Sequence, residues 1–400
     1  MSEKSLLKLF YVDKNMYKAE YEKRFNSTDS IHLDLMIGEN PAFFVATGDI
    51  YRLIVSIMRS DKAVEALDKS LPGVAIEQFT RRCLIDEIMQ TNDIEGVHST
   101  RKELGNILSN IGKTDKKNRF VGLVNKYFLL NKNKTMSFET CQDIRNIYEE
   151  LFGEEIREAD LDSVPDGLFF RKNSVSVYSD VDKEIHRGLF PEKKIIEAME
   201  GALKFLNDAN VEPLFRIAVF HYLFGYIHPF YDGNGRCSRF ISSYLLAEEL
   251  NPLIAYRLSY TIKDNIKDYY DAFKLCNHYN NMGDMTPFIE MFLSIVDKAE
   301  KQLVEALEKR KEKLDFYAEA IKLLPYGNDE QMETLYYLLV QASLFSENGI
   351  PIKDLQDCMH LSFNPLKARL TKIPPELIEI KQVGRNKYYM LNLKNVDAII

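Results

Sequence analysis

The stretch His228-Pro229-Phe230-Tyr231-Asp232-Gly233-Asn234-Gly235-Arg236-Cys237-Ser238-Arg239 constrains this chain more than any other. Just upstream, residues 213–224 are apolar at helical spacing and Pro229 forbids continuation, so His228 sits where a buried helix ends. A second helix restarts beyond the loop, because Phe240, Ile241, Tyr244, Leu245, Leu246 and Leu250 recur on one face. Asn234-Gly235 in front of it reads as its cap and turn.

The loop between these helices has the chemistry of an anion site. Gly233 and Gly235 let successive backbone N–H groups point inward, and the new helix aims its positive dipole end at the same place. Arg236 and Arg239 share a face of the first turn and can each grip a phosphate oxygen. Asp232 adds the hard carboxylate oxygen that magnesium takes beside phosphates, and His228 can accept a proton near neutral pH. These are the parts of a phosphoryl- or nucleotidyl-transfer site, where positioning and charge stabilisation do most of the work.

His228 to Arg239 also resembles, at every specified position, the signature of Fic-domain proteins, His-x-Phe-x-Asp/Glu-Gly-Asn-Gly-Arg-x-x-Arg. The resemblance implies a mainly α protein with a Fic-type helical core that transfers AMP from ATP to a protein hydroxyl. It implies His228 as the catalytic base and magnesium on Asp232. It also implies a phosphate cradle of Gly233, Asn234, Gly235, Arg236, Cys237, Ser238 and Arg239. An ordinary capped turn carrying a histidine is the competing reading.

Composition sets the frame. With 400 residues and 46% hydrophobic content, the chain has material for large cores in two or three domains. A net charge of −8 argues against a general nucleic-acid-coating protein, without excluding a local basic patch. Cys83, Cys141, Cys237, Cys276 and Cys358 are scattered and never form a C-x-x-C pair, so neither a disulfide framework nor a zinc cluster is indicated. No apolar run approaches the ~20 residues that span a bilayer, and residues 1–13 lack the pattern of a signal peptide. A soluble, cytoplasmic protein with no membrane partner is the expectation.

Upstream, a helical pattern over Ile76–Ile94 places Ile76, Phe79, Cys83, Leu84 and Ile88 on a packing face and runs out at Gly96, a natural residue to follow a helix. Glu95 then falls in the last turn, where the helix dipole disfavours an anion by roughly 0.3–1 kcal/mol. A facing cation would relieve it. Within the resemblance, Thr91-x-x-x-Glu95-Gly96 is similar to the family's inhibitory motif, Ser/Thr-x-x-x-Glu-Gly/Asn, in the version that precedes the core, the class II arrangement. The implied partner is Arg239, whose guanidinium would otherwise hold the ATP γ-phosphate. A surface glutamate at a frayed helix end is the alternative.

Residues 169–178 alternate like a strand, with turn-prone Ser179-Asp180 and a shorter return at Glu184-Ile185-His186. In Fic proteins the corresponding flap lies over the active site and registers an extended target segment by strand addition. Its pattern is met here by Arg171, Val175, Val177, His186 and Pro191, and Val177 and Tyr178 would border the nucleotide. A merely structural hairpin competes.

Residues 265–277 resemble the family's Tyr-Tyr-x-x-Leu segment, whose second tyrosine and the asparagine seven on border the adenine. Tyr269, Tyr270 and Asn277 are the candidates, with Phe273 in place of the usual leucine. An aromatic face can stack a base and an amide can bond its edge. Core packing is the equal alternative for Tyr269. His221 is spaced wrongly from His228 for a metal pair, and His32, His98, His278 and His360 have no cluster around them, so packing or capping roles are expected.

From Pro287 to Leu324 the chain reads as a long charged helix, with Phe292, Ile295, Val296, Leu303, Leu307 and Leu314 on one side. A boundary at 325–329 precedes a tail of helices at Glu330–Ser343, Ile352–Met359 and Asn364–Ile373, a Gly349-Ile350-Pro351 turn, and strand-like runs Leu377–Lys381 and Lys387–Leu391. This order resembles a winged helix. Lys367, Arg369, Lys372, Arg385 and Lys387 could contact phosphates of DNA, and a packing or dimerisation module is the alternative.

The expected layout is an N-terminal helical region with the inhibitory motif (1–100), a Fic core with its flap near 169–187 (101–290), a connecting helix (291–328) and a winged-helix-like domain (329–400). The expected function is an autoinhibited protein adenylyltransferase using ATP and Mg2+ on a target docked as an extended segment, or on itself. Two alternatives stand beside it: a hydrolase that removes AMP with the same site, and a DNA-binding regulator acting through the tail. Homodimerisation is left open.

Overall fold

The computed structural model describes residues 5–109, 111, 119–130, 135–178, 184–383 and 386–400. The chain divides into two compact units, Met1–Asp61 with Asp86–Glu300, and Lys62–Ile85 with Lys301–Ile400. Both are discontinuous in sequence, unlike the consecutive stretches expected above.

The first unit is built around the helix Pro213–Ile227. Twelve of its 15 residues are buried, so it is apolar all round and can only be central. Pro213 begins it, where a missing N–H costs nothing, and the Glu212 side chain caps it by accepting from the Phe215 N–H at 2.9 Å. The signature helix, Asn234–Glu249, and the helix Glu192–Leu206 pack against it.

The helix Cys141–Ala159 belongs to the same unit. Its start is set by a capping box between Thr140 and Asp143, and the Ser137 hydroxyl donates to the same Asp143 carboxylate at 3.0 Å, which holds Ser137 outside the helix.

Residues 5–45 contribute to this unit. Helices Leu6–Val12 and Lys14–Phe25 lead into an antiparallel hairpin, Ser30–Ile37 with Asn40–Val45. Phe43 and Phe44 are fully buried, and Phe43 exchanges backbone hydrogen bonds with Gly283 (3.1 Å) and Met285 (2.8 Å) ahead of the helix Thr286–Ala320. A buried Arg24–Asp284 pair at 3.1 Å fixes the same corner.

Helix Gly73–Ile94 begins three residues before the expected start, directly after Pro72, and its part from Asp86 onward belongs to the first unit. Thr91 and Glu95, at its C-terminal end, therefore lie in the same unit as the signature loop.

In the second unit, helices Glu330–Phe345, Ile352–Met359 and Phe363–Leu370 precede strands Ile378–Val383 and Asn386–Leu391. Ile350–Pro351, expected as a turn, is a short strand pairing with Tyr388 and Tyr389, which completes a three-stranded antiparallel sheet with Asn386–Leu391 in the middle. The Gly384-Arg385 tip lies outside the described residues. Among the described residues no helix is long and apolar enough to cross a membrane, and the five cysteines are free.

Candidate active site

His228 ends the central helix in the left-handed conformation, φ 52° and ψ 63°, with its N–H bonded to the Phe224 carbonyl at 2.9 Å. A non-glycine residue held there costs on the order of 1–3 kcal/mol, so its surroundings must over-determine it. Arg171, fully buried, supplies much of that constraint: its Nε donates to the His228 carbonyl at 2.9 Å, and its remaining nitrogens donate to the carbonyls of Asn173 and Leu189.

The strand expected over 169–178 is confined to Ser176–Tyr178, paired with Glu184–Arg187. The reason is local. The N–H groups of Phe169 and Phe170 donate to Glu192 Oε1, that of Lys172 to Asp166 Oδ1 and that of Asn173 to Tyr231 Oη, so side chains take the donors a sheet would need. Val177 pairs with His186 through the backbone; the side chains of Val177 and Tyr178, expected beside the nucleotide, lie outside the described residues, as do Ser179 and Asp180.

The signature loop is braced from beneath. Phe230 stacks on Tyr148, centroids 3.6 Å apart, and the Tyr148 hydroxyl donates to the Asp232 carbonyl at 3.0 Å. Asn234 does not cap the next helix: its side-chain amide accepts from the Phe230 N–H (2.9 Å) and donates to the Phe230 carbonyl (2.8 Å), closing the loop on itself. The cap is Gly233, at φ 75°, one residue earlier. Asp232 Oδ1 accepts from the Gly233 N–H at 2.6 Å, while its side chain remains 58% exposed. Cys237 and Ser238, expected in the cradle, turn inward. The first is fully buried, with burial pushing its thiol pKa up, and the hydroxyl of the second donates to the Gly235 carbonyl.

Both arginines are 1% exposed and both already hold carboxylates. Arg239 Nη2 meets Glu95 Oε1 at 2.8 Å, the ion pair the motif implied, and Glu95 is followed by Gly96 at φ 70°. Burial disfavours the charged form of Arg239, and the facing Glu95 more than reverses this, so its pKa lies above the usual value. The carboxylate fits because Gly235 has no side chain, since a Cβ there would come within 2.0 Å of Glu95 Oε1. Glu95 thus rests against the first turn of the signature helix, where an anion is favoured by the dipole.

Arg236 lies over the Phe152 ring (4.6 Å) and pairs with Glu155 at 2.6 Å. Glu155 was not singled out from the sequence, since it is one of several acids along the helix Cys141–Ala159. Glu87 was also missed. One turn before Thr91, it is fully buried and accepts from the Ser259 N–H with both oxygens, at 2.8 and 2.9 Å. Burial pushes its pKa up to about 7 against those hydrogen bonds and the field of Arg239. A glutamate between Leu84 and Ile88 on an apolar face was the available signal.

Of the adenine candidates, Tyr269 is core. It is 4% exposed and its hydroxyl is bonded to His221 Nε2 at 2.8 Å, while His221 Nδ1 is bonded to Ser242 Oγ at 2.7 Å. Burial drives the His221 pKa down to about 3, so it is a neutral, packed histidine. Tyr269 therefore has no face open to a base. Tyr270, 43% exposed, does; Asn277 Oδ1 is engaged by the Tyr222 hydroxyl at 2.7 Å. His278 caps a turn by accepting from the Asn280 N–H, and His32 packs on Phe25.

A histidine at a helix end, an exposed carboxylate, and two buried arginines at the start of the following helix are the kinds of group that phosphoryl and nucleotidyl transfer use. Residues 138–246 match the model of the Fic/DOC family, and the chain carries a Fic domain. The "Protein adenylyltransferase Fic" of Culex quinquefasciatus is 30% identical over 246 residues, 59% of this chain and 44% of that protein. Its namesake in Drosophila ananassae is 27% identical over 253 residues, 62% of this chain and 46% of that protein. The chain thus spans less than half the length of these curated relatives. A crystal structure of a Fic family protein from Desulfovibrio desulfuricans G20 superposes with a TM-score of 0.55 at 21% identity, covering 87% of this chain and 97% of that one, which bears out the mainly helical fold.

Proposed function

We propose that the protein is an adenylyltransferase that moves AMP from ATP to a hydroxyl of a target protein or of itself, and that Glu95 restrains it. The reading is carried by His228 at the end of one helix, followed by the exposed Asp232 carboxylate in the loop and by Arg239, held by Glu95, in the first turns of the helix Asn234–Glu249. His228 takes the proton of the target hydroxyl, whose oxygen attacks the α-phosphorus. The bond from that phosphorus to the bridging oxygen breaks, and pyrophosphate leaves. The N–H groups of the first turn and Arg236 and Arg239 stabilise the charge on the phosphates. With Glu95 on Arg239, the γ-phosphate loses its cation, and ATP binds unproductively.

The described residues contain no group of three or more His, Cys, Asp or Glu able to hold a metal ion. One exposed carboxylate suits magnesium, which keeps waters and takes its other oxygens from phosphates. Asp232 would hold it, and the ion would neutralise phosphate charge. The target is read as an extended segment paired on the hairpin edge, and a cytoplasmic location fits the free cysteines.

The tail is read as a winged helix, supported by its helix–strand–helix–helix–strand–strand order. Lys367 and Lys372 are exposed on or just after its third helix; DNA contact by them would appear as salt-dependent binding lost on their replacement.

Radiolabelled AMP transfer by Glu95→Gly, abolished by adding His228→Ala, tests the main reading. A Glu95→Gly protein that binds Mg-ATP yet labels nothing, itself or host lysate, would overturn it.

A further inference from the structure

Arg171 is a buried cation with no carboxylate partner among the described residues. Burial lowers its pKa, and among the described residues only Tyr231 acts in the other direction. Such a group is costly unless its donors are satisfied in a fixed geometry. Here the fork is spent on three carbonyls from separate pieces of chain: Asn173, ahead of the outgoing hairpin strand; Leu189, just after the return strand; and His228 itself.

The backbone repeats the connection. The Arg171 N–H donates to the Pro229 carbonyl and the Leu189 N–H to the Ile227 carbonyl, each at 3.1 Å, so the residues on either side of His228 are tied to the two ends of the hairpin. Gly188 donates to the Val175 carbonyl at 3.0 Å and leaves room for the fork. A Cβ on it would come within 2.4 Å of Arg171 Nη2 and 2.9 Å of the His228 Cβ.

We infer that Arg171, admitted by Gly188, is a positioning residue that fixes the backbone of His228 to both ends of the hairpin, and so sets the distance between a segment paired on that hairpin and the imidazole. The inference rests on the proposed reaction for its consequence, but not for its geometry. Arg171 touches no part of the arginine and glycine cradle in the bonds described, so its loss acts on transfer and not on nucleotide affinity. Displacement of a reacting group by about 1 Å is enough for a loss on the order of 100-fold.

The test uses full-length protein carrying Glu95→Gly, with Arg171→Met or Gly188→Ala added. Mg-ATP affinity is measured by calorimetry, AMP transfer with host lysate as acceptor, and amide hydrogen exchange residue by residue. The expected result for each variant is a dissociation constant within about twofold of the parent, transfer lowered on the order of 100-fold, and exchange at Gly188 and Leu189 accelerated while the amides of Asn234–Glu249 keep their protection. Gly188→Ala removes no charge, so it decides the matter if Arg171→Met does not fold. Unchanged exchange at Gly188 and Leu189, or affinity falling in step with transfer, overturns the inference. If the Glu95→Gly parent transfers no AMP, the proposed reaction fails, and the exchange measurement alone still decides whether Arg171 positions His228.

Discussion

Thr91 holds Arg239 twice: its hydroxyl accepts from Nε at 2.8 Å and its carbonyl oxygen accepts from Nη2 at 2.9 Å. Glu95, in the turn just beyond the helix end at Ile94, makes the third contact. The arginine is therefore oriented by Thr91 and neutralised by Glu95, and the two effects are separable.

Removal of the neutralising group alone should activate. Glu95→Gly leaves both Thr91 contacts in place, and AMP transfer is expected to rise at least about tenfold, a change of roughly 1.4 kcal/mol in barrier. Thermal stability should fall modestly rather than by the full cost of an unpaired buried charge, because Glu95 is 30% exposed and Thr91 still accepts two hydrogen bonds from the buried Arg239.

Removal of the orienting group should do the opposite. Thr91→Val leaves Arg239 Nε without its acceptor in a fully buried place, so stability should fall by about 1.5–3 kcal/mol in denaturant unfolding. Transfer should fall even when Glu95→Gly is present.

Glu155 offsets the charge of Arg236 just where a phosphate would use it. Glu155→Gln keeps an oxygen acceptor for the 2.6 Å contact but discards the anion, and Mg-ATP should bind roughly tenfold more tightly by calorimetry. Glu155→Ala, by contrast, leaves the buried guanidinium only the 3.8 Å pair with the exposed Asp232 carboxylate and should lower stability, by up to about 3–5 kcal/mol.

Glu300 is fully buried with neither carboxylate oxygen bonded, and burial, then Asp61 and Asp297, push its pKa up to about 8. Between its ordinary value of 4.5 and about 8 the folded state binds the proton and the unfolded state does not. Stability from this group is therefore full below 4.5 and lost as pH rises to about 8. Glu300→Gln should flatten that decline, giving a higher Tm than the parent at pH ~9 and a similar one at pH ~5.

The parts of the site that were legible from sequence are those set by short spacing. Pro229 after an apolar helix placed His228, and Thr91, Glu95 and Gly96 at a helix end called for a facing cation that proved to be Arg239. What was not legible depends on partners distant in sequence. Glu155 meets Arg236 across 81 positions, and Tyr269 is committed to the core by His221, 48 positions away. Alternation at 169–175 suggested a strand, but Asp166, Glu192 and Tyr231 captured the backbone donors. The hairpin at residues 30–45 went unread, its burial being fixed by the Gly283–Met285 segment.

Cys237 lies in the signature itself, yet its sulfur is sealed within the protein, as are those of Cys83, Cys141 and Cys276. A thiol that burial keeps from ionising is a poor nucleophile towards alkylating reagents. A cysteine introduced at an exposed position would thus compete with few native sulfurs for a thiol-reactive label, Cys358 being the native thiol that burial seals less completely.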